Sequence, residues 1–108
     1  MKYATAYETT AGQTEAIFAA PGANRRWRIY DLNYQVSDSQ DTSVITIGDG
    51  TTHLVKITCG AAQGSDGFGN HHYSKGYPMA ANTAVNIVIA TANANVNASV
   101  AAEEERIP

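Results

Sequence analysis

Apolar and polar residues alternate with a period of two along the segment WRIYDLNYQV, which begins at Trp27, and the alternation changes phase once. Trp27 and Ile29 stand at odd positions, whereas Leu32 and Tyr34 stand at even ones. Successive side chains of a strand point to opposite faces of a sheet, so a phase change needs an extra residue. The pattern predicts a long β-strand with a bulge near Ile29 and Tyr30.

The other segments are also typical of short strands. Alternating residues flank the turn GDGT at 48–51, which is a strong β-hairpin signal. Further strands are expected near 2–7, 14–20, 85–89 and 96–102, and the glycine-rich segment 60–78 is expected to be a long loop with a short strand near 68–73. We predict an all-β fold, an antiparallel β-sandwich or jelly roll of seven to eight strands with no significant helix.

A single core is expected for 108 residues. The segment 1–13 has few apolar residues and is interpreted as an N-terminal arm that orders on a partner. Residues 14–102 form the predicted β-sandwich domain, and residues 103–108 form an acidic C-terminal tail.

Charged residues make up 16% of the chain, below the roughly 25% of ordinary soluble domains. This composition suits a protein that packs against neighbours. The formal net charge of −3 argues against nucleic-acid binding, which needs an excess of lysine and arginine. No apolar run approaches 18 residues, so no membrane partner is expected. The one cysteine, Cys59, alternates with Val55 and Ile57 and is interpreted as a buried structural thiol.

Few residues suggest chemistry. His71 and His72 are adjacent, so on a strand they face opposite ways and cannot easily share a metal ion, and His53 lies far from them in sequence. A metal ion shared between subunits is the one metal site that the sequence leaves open. Asp38 and Asp41 lack the ligand spacing of a calcium loop. No serine lies in a GxSxG elbow, and no phosphate-binding loop is present. We therefore predict a protein that is not an enzyme, with no catalytic residue, no metal and no cofactor.

Two groups of residues are candidates for a subunit or partner interface. Arginine can bind carboxylates through two parallel hydrogen bonds, so the three clustered arginines form either a solvated strand end or a contact with glutamates of another subunit. Tyrosine suits both a half-buried sheet and a protein or sugar contact. The candidate interface residues are Arg25, Arg26, Arg28, Tyr30, Tyr34, His71, His72, Tyr73, Tyr77, Glu103, Glu104 and Glu105.

Three segments together resemble small β-sandwich virion proteins of tailed bacteriophages: FAAPGANRRWRIYDL, ITIGDGT and YPMAANTAVNIVIATANANVNASV, over roughly residues 15 to 102. In style the chain is most similar to capsid decoration, or cement, proteins. The resemblance implies a non-enzymatic homotrimer on the outer surface of the head, made in the host cytoplasm, that binds the major capsid protein. It would stabilise the shell by bridging capsid subunits.

Two other functions remain open from the sequence. A head-fibre, tail-fibre or receptor-binding module would use the segment 60–78 to bind a sugar or a surface protein. A carbohydrate-binding module would need exposed aromatic platforms, and Trp27, the one tryptophan, is expected in the core.

Overall fold

A computed structural model describes residues 1–37, 43–59, 67–90 and 92–108, with Cys59 described by its backbone alone. The described residues form eight β-strands: β1 Lys2–Glu8, β2 Thr14–Phe18, β3 Arg25–Ser37, β4 Ser43–Gly48, β5 His53–Cys59, β6 Gly67–Pro78, β7 Val85–Ile89 and β8 Asn95–Arg106. No described helix is long and apolar enough to cross a lipid bilayer. Asp38, Asp41 and residues 60–66 of the predicted loop lie outside the described residues, as does the side chain of Cys59.

The strands form two antiparallel sheets that pack face to face. Sheet A has the strand order β1-β8-β3-β6, and sheet B has the order β2-β7-β4-β5. Strands 1 and 8, 2 and 7, 3 and 6, and 4 and 5 are therefore neighbours, which is the nested pairing of an eight-stranded jelly roll. The predicted all-β sandwich is confirmed.

The core lies between the sheets and is built from branched aliphatic side chains. Ile29, Leu32 and Val36 of β3 point inward from sheet A, and each has no exposed surface. Ile45 of β4 and Ile87 of β7 face them from sheet B and are equally buried. Complete burial of such a side chain contributes roughly 1.5–3 kcal/mol, so these alternating positions supply much of the stability of the sandwich.

The bulge predicted in β3 is present at Tyr30. Ile29 pairs with Ala102 of β8 and Asp31 pairs with Ala101, so Tyr30 is the extra residue. Because the bulge restores the phase, Ile29 and Leu32 both point into the core. The core position of Trp27 is likewise confirmed at 4% exposure, with its Nε1 donating a hydrogen bond to the Ala19 carbonyl over 2.9 Å.

Three segments differ in part from the sequence-based expectation. The short strand predicted at 2–7 is confirmed as β1, which pairs with β8 along its whole length, so this part of the predicted arm belongs to sheet A. The predicted acidic tail is the end of β8, which continues to Arg106 beside β3. The short strand predicted near 68–73 is confirmed but is longer than expected, since Gly67–Pro78 form β6 within the segment expected to be a loop. The arm and the tail are therefore strands of the sandwich.

Candidate functional site

The arginines at the start of β3 bind glutamates of the same chain. Antiparallel pairing places Arg26 opposite Glu105, and Arg26 Nε donates to Glu105 Oε1 over 2.7 Å. Arg28 Nε lies 3.0 Å from Glu105 Oε2, and Arg25 Nε lies 3.2 Å from a carboxylate oxygen of Glu104. The sequence leaves open a solvated strand end or a contact with glutamates of another subunit. The glutamates that these arginines contact here belong to the same chain, and a contact with another subunit stays a prediction.

The same cluster holds the first strand and the end of β6. Hydrogen bonds from Arg28, and then from Arg26, lower the pKa of the Glu105 carboxyl. Arg28 Nη1 also donates to the carbonyls of Lys75 and Gly76 in β6. The Lys2 ammonium lies 3.6 Å from Glu104, and the terminal amine lies 3.9 Å from Glu103. This charged cluster ties four strand ends together.

The outer face of sheet A beyond that cluster is nearly uncharged. A shallow trough of about 610 Å³ crosses it and is lined by Asn33, Gln35, Asn70, Asn97 and Ser99, with Phe68 at one side. A second hollow of about 320 Å³ adjoins it, because both are lined by Asn33 and Ser99. Amide and hydroxyl groups both donate and accept hydrogen bonds. The face can therefore bind polar uncharged groups.

Exposed aromatic side chains lie along both edges of sheet A. Tyr3 and Tyr7 on β1 are 78% and 50% exposed, and Phe68 and Tyr77 on β6 are 84% and 41% exposed. Among the described residues, no large apolar side chain of sheet B is exposed in this way. Exposed aromatic groups beside neutral polar ones are typical of the contact regions of protein surfaces.

The two histidines face opposite sides of β6, as predicted. His72 lies on the outer face, where its Nδ1 is 2.7 Å from Asp31 Oδ1 of the neighbouring strand. His71 points the other way and stacks against Tyr34 and Tyr73, with ring centroids 6.1 and 6.4 Å away. In the described part of the chain, no three His, Cys, Asp or Glu side chains gather as metal ligands would.

The predicted tyrosines divide between packing and exposure. Tyr34 and Tyr73 pack against the core, and burial raises the pKa of the Tyr73 hydroxyl. Tyr77 meets Tyr73 edge to face at 5.5 Å and remains partly exposed, and Tyr30 occupies the bulge. The candidate interface residues thus lie in four places: the charged cluster, the inward row of rings, the outer face near His72, and the bulge at Tyr30.

Apart from His72, the residues of the outer face are not among the sequence-based candidates. Phe68, Asn70 and His72 share one face of β6, and the glycines at 67 and 69 on the other face weaken the alternation, so the sequence predicts only a short strand near 68–73. Tyr3 and Tyr7 lie in the strand predicted at 2–7, within the segment interpreted as an arm. The signal that could have marked the two tyrosines as surface groups is their position on the face of β1 that carries no aliphatic side chain.

No protein-family model matches the chain, and no curated protein matches it. Among solved structures, the chain is similar to one described under the words "Bacillus endospore appendages form a novel family of disulfide-linked pili". The match covers 99% of this chain and 87% of that chain, with 16% identity and a TM-score of 0.47.

This comparison contradicts the predicted function of a phage capsid decoration protein, because the matched structure belongs to a bacterial appendage. The prediction that this chain is a capsid decoration protein is therefore wrong. The similarity to virion proteins, the virion location and the capsid partner stay predictions. At this TM-score, no role is transferred from the appendage to this chain.

Proposed function

We propose that this protein is a non-catalytic structural subunit that associates with further copies of itself through sheet A. One observation carries the proposal: the exposed aromatic side chains stand on the two edge strands of sheet A, beside a broad neutral face. Aromatic groups that are covered on association contribute strongly to binding at low entropic cost.

The charge distribution supports the same proposal. The arginines of β3 are engaged by Glu104 and Glu105 at one end of the sheet, and the trough itself is lined by uncharged groups. Two such faces can approach without strong repulsion between like charges. The groups lining the trough are suited to hydrogen bonding rather than to proton transfer, which favours binding over catalysis.

Light scattering after size-exclusion chromatography, over a range of protein concentrations, tests the proposal. We expect a mass that is a multiple of the 11.5 kDa chain, and the trimer expected from the sequence is one such multiple. Replacing Tyr3 and Phe68 together by serine should weaken association at least tenfold, whereas Lys56→Ser on sheet B should leave the mass unchanged. A monomer at every concentration would refute self-association.

A further inference from the structure

We infer that two copies join through the edge of β6 that faces away from β3, where Phe68–His72 pairs antiparallel with the same segment of a second copy about a two-fold axis. The inference rests on the proposed self-association and names the surface that performs it. The product would be a continuous eight-stranded sheet made from two copies of sheet A.

Among the residues that the structure describes, no strand pairs with β6 on the side away from β3. β6 is the last strand of sheet A and is hydrogen-bonded to β3 on one side. Its register with β3 is unbroken from Gly67, opposite Val36, to His72, opposite Asp31. An edge strand of this kind presents a row of N–H and C=O groups toward an incoming strand.

The other three sheet edges carry features that discourage such pairing. β1 has a charged residue at each end, Lys2 and Glu8. β2 has five residues and a register shift, and β5 carries Lys56 at its centre. Charges, short length and bulges are the means by which proteins protect sheet edges. The segment Gly67–His72 has no charged residue when its histidines are neutral, no proline and no register shift.

The second copy is the occupant that the sequence of β6 suits. Opposite residues of an antiparallel pair have their side chains on the same face of the sheet, and alternate residues of β6 share a face. When β6 pairs with a second copy of itself, an even-numbered residue must therefore stand opposite an even-numbered one, and an odd-numbered residue opposite an odd-numbered one. Centring the pair on Asn70 places Phe68 opposite His72 of the second copy, on the outer face. Aromatic cross-strand pairs stabilise a sheet, and this one covers the most exposed aromatic side chain.

Charge does not oppose this arrangement. Lys75 lies in the segment between His72 and Tyr77, where β6 leaves its regular register with β3. The regular segment therefore ends before the lysine, and the two lysines of a pair stand at opposite ends of the joint strands. Like charges directly opposite one another would have been destabilising.

A single-cysteine crosslink tests the geometry. In a Cys59→Ser background, Asn70→Cys would stand opposite its own copy, at a Cα separation that suits a disulfide. Mild oxidation should convert most of the protein to a covalent dimer on a non-reducing gel. The matched control is Thr5→Cys, at an exposed position on the edge strand β1. On the same gel it should run mainly as the single chain without a crosslink.

A charge substitution provides the second measurement. Asn70→Lys places two ammonium groups opposite each other in the pair and should weaken association at least tenfold, while Thr5→Lys should not. Far-ultraviolet circular dichroism checks that both variants fold. If the wild-type protein associates but neither the crosslink nor the charge effect occurs, the edge inference is wrong and self-association stands. If the wild-type protein is monomeric, self-association itself fails.

Discussion

Asp49 is a buried carboxylate that connects two turns of the jelly roll. Its Oδ1 accepts hydrogen bonds from the backbone N–H groups of Thr51 and Thr52 over 2.9 and 2.6 Å, within the turn between β4 and β5. Its Oδ2 accepts a hydrogen bond from Ala80 N over 2.6 Å, in the connection between β6 and β7. Burial alone raises the pKa of Asp49, but the backbone N–H donors together lower that pKa below its ordinary value.

We predict that Asp49→Asn lowers the free energy of unfolding by about 1–3 kcal/mol at neutral pH, because an amide nitrogen cannot accept these hydrogen bonds. A depressed folded-state pKa means that the stabilisation is present above the unfolded-state pKa of about 3.9 and is lost as the pH falls through the folded-state pKa. Urea unfolding between neutral pH and about pH 3 measures both effects. The two proteins should therefore converge in stability at low pH.

The control for this prediction is Asp31→Asn. The Asp31 carboxylate is 46% exposed and bonds to an exposed histidine, so its removal should change the unfolding free energy by less than about 1 kcal/mol. Equal losses of unfolding free energy for the two substitutions would show that the buried contacts of Asp49 stabilise the fold no more than the exposed contact of Asp31 does. A constant difference between wild type and Asp49→Asn at all pH values would contradict the assigned hydrogen bonds.

At the scale of single elements, β1 has little apolar attachment to the core. Ala6 is its one buried side chain, and Ala4 packs against the core less completely. β1 is otherwise held by backbone pairing with β8 and by the ion pair between Lys2 and Glu104. Edge strands gain stability from backbone hydrogen bonds even where their side chains are small.

We predict that deletion of residues 1–8 lowers the thermal unfolding midpoint by several degrees, because it removes β1 and exposes the edge of β8. Lys2→Ser, which removes one exposed ion pair, should change the midpoint little. Differential scanning calorimetry on the three proteins makes the comparison. An unchanged midpoint for the truncated protein would restore the interpretation of this segment as an arm.

The sequence predicted those elements whose signals are local. The hairpin of β4 and β5 is marked by Asp-Gly between alternating runs, and the bulge at Tyr30 is marked by a change of phase. The pairing of Arg26 with Glu105 depends instead on β3 lying beside β8, which are far apart in the chain. For β6 the sequence predicts only the short strand near 68–73, because glycines interrupt the alternation. In the structure the ring of Tyr34 lies so close to Gly69 that no space is left for a Cβ atom.

At the scale of the whole molecule, charge and neutral surface are separated. The ends of β1, β3, β6 and β8 meet at one end of sheet A, where the arginines and glutamates neutralise one another. The rest of the outer face presents amides, hydroxyls and aromatic rings, with Asp31 and His72 as its titratable pair. Association through this sheet would therefore depend on backbone pairing and aromatic burial rather than on ion pairs.

This separation predicts how self-association responds to salt. Raising the ionic strength from about 0.1 to 1 M shortens the Debye length from about 10 to 3 Å and weakens exposed ion pairs. The mass measured by light scattering should stay unchanged, because the arginines bind glutamates of their own chain. A control with Asn70→Lys should regain association at high salt as the introduced charges are screened. Dissociation of the wild-type assembly by salt would instead place ion pairs between the copies and return the arginines of β3 to the interface.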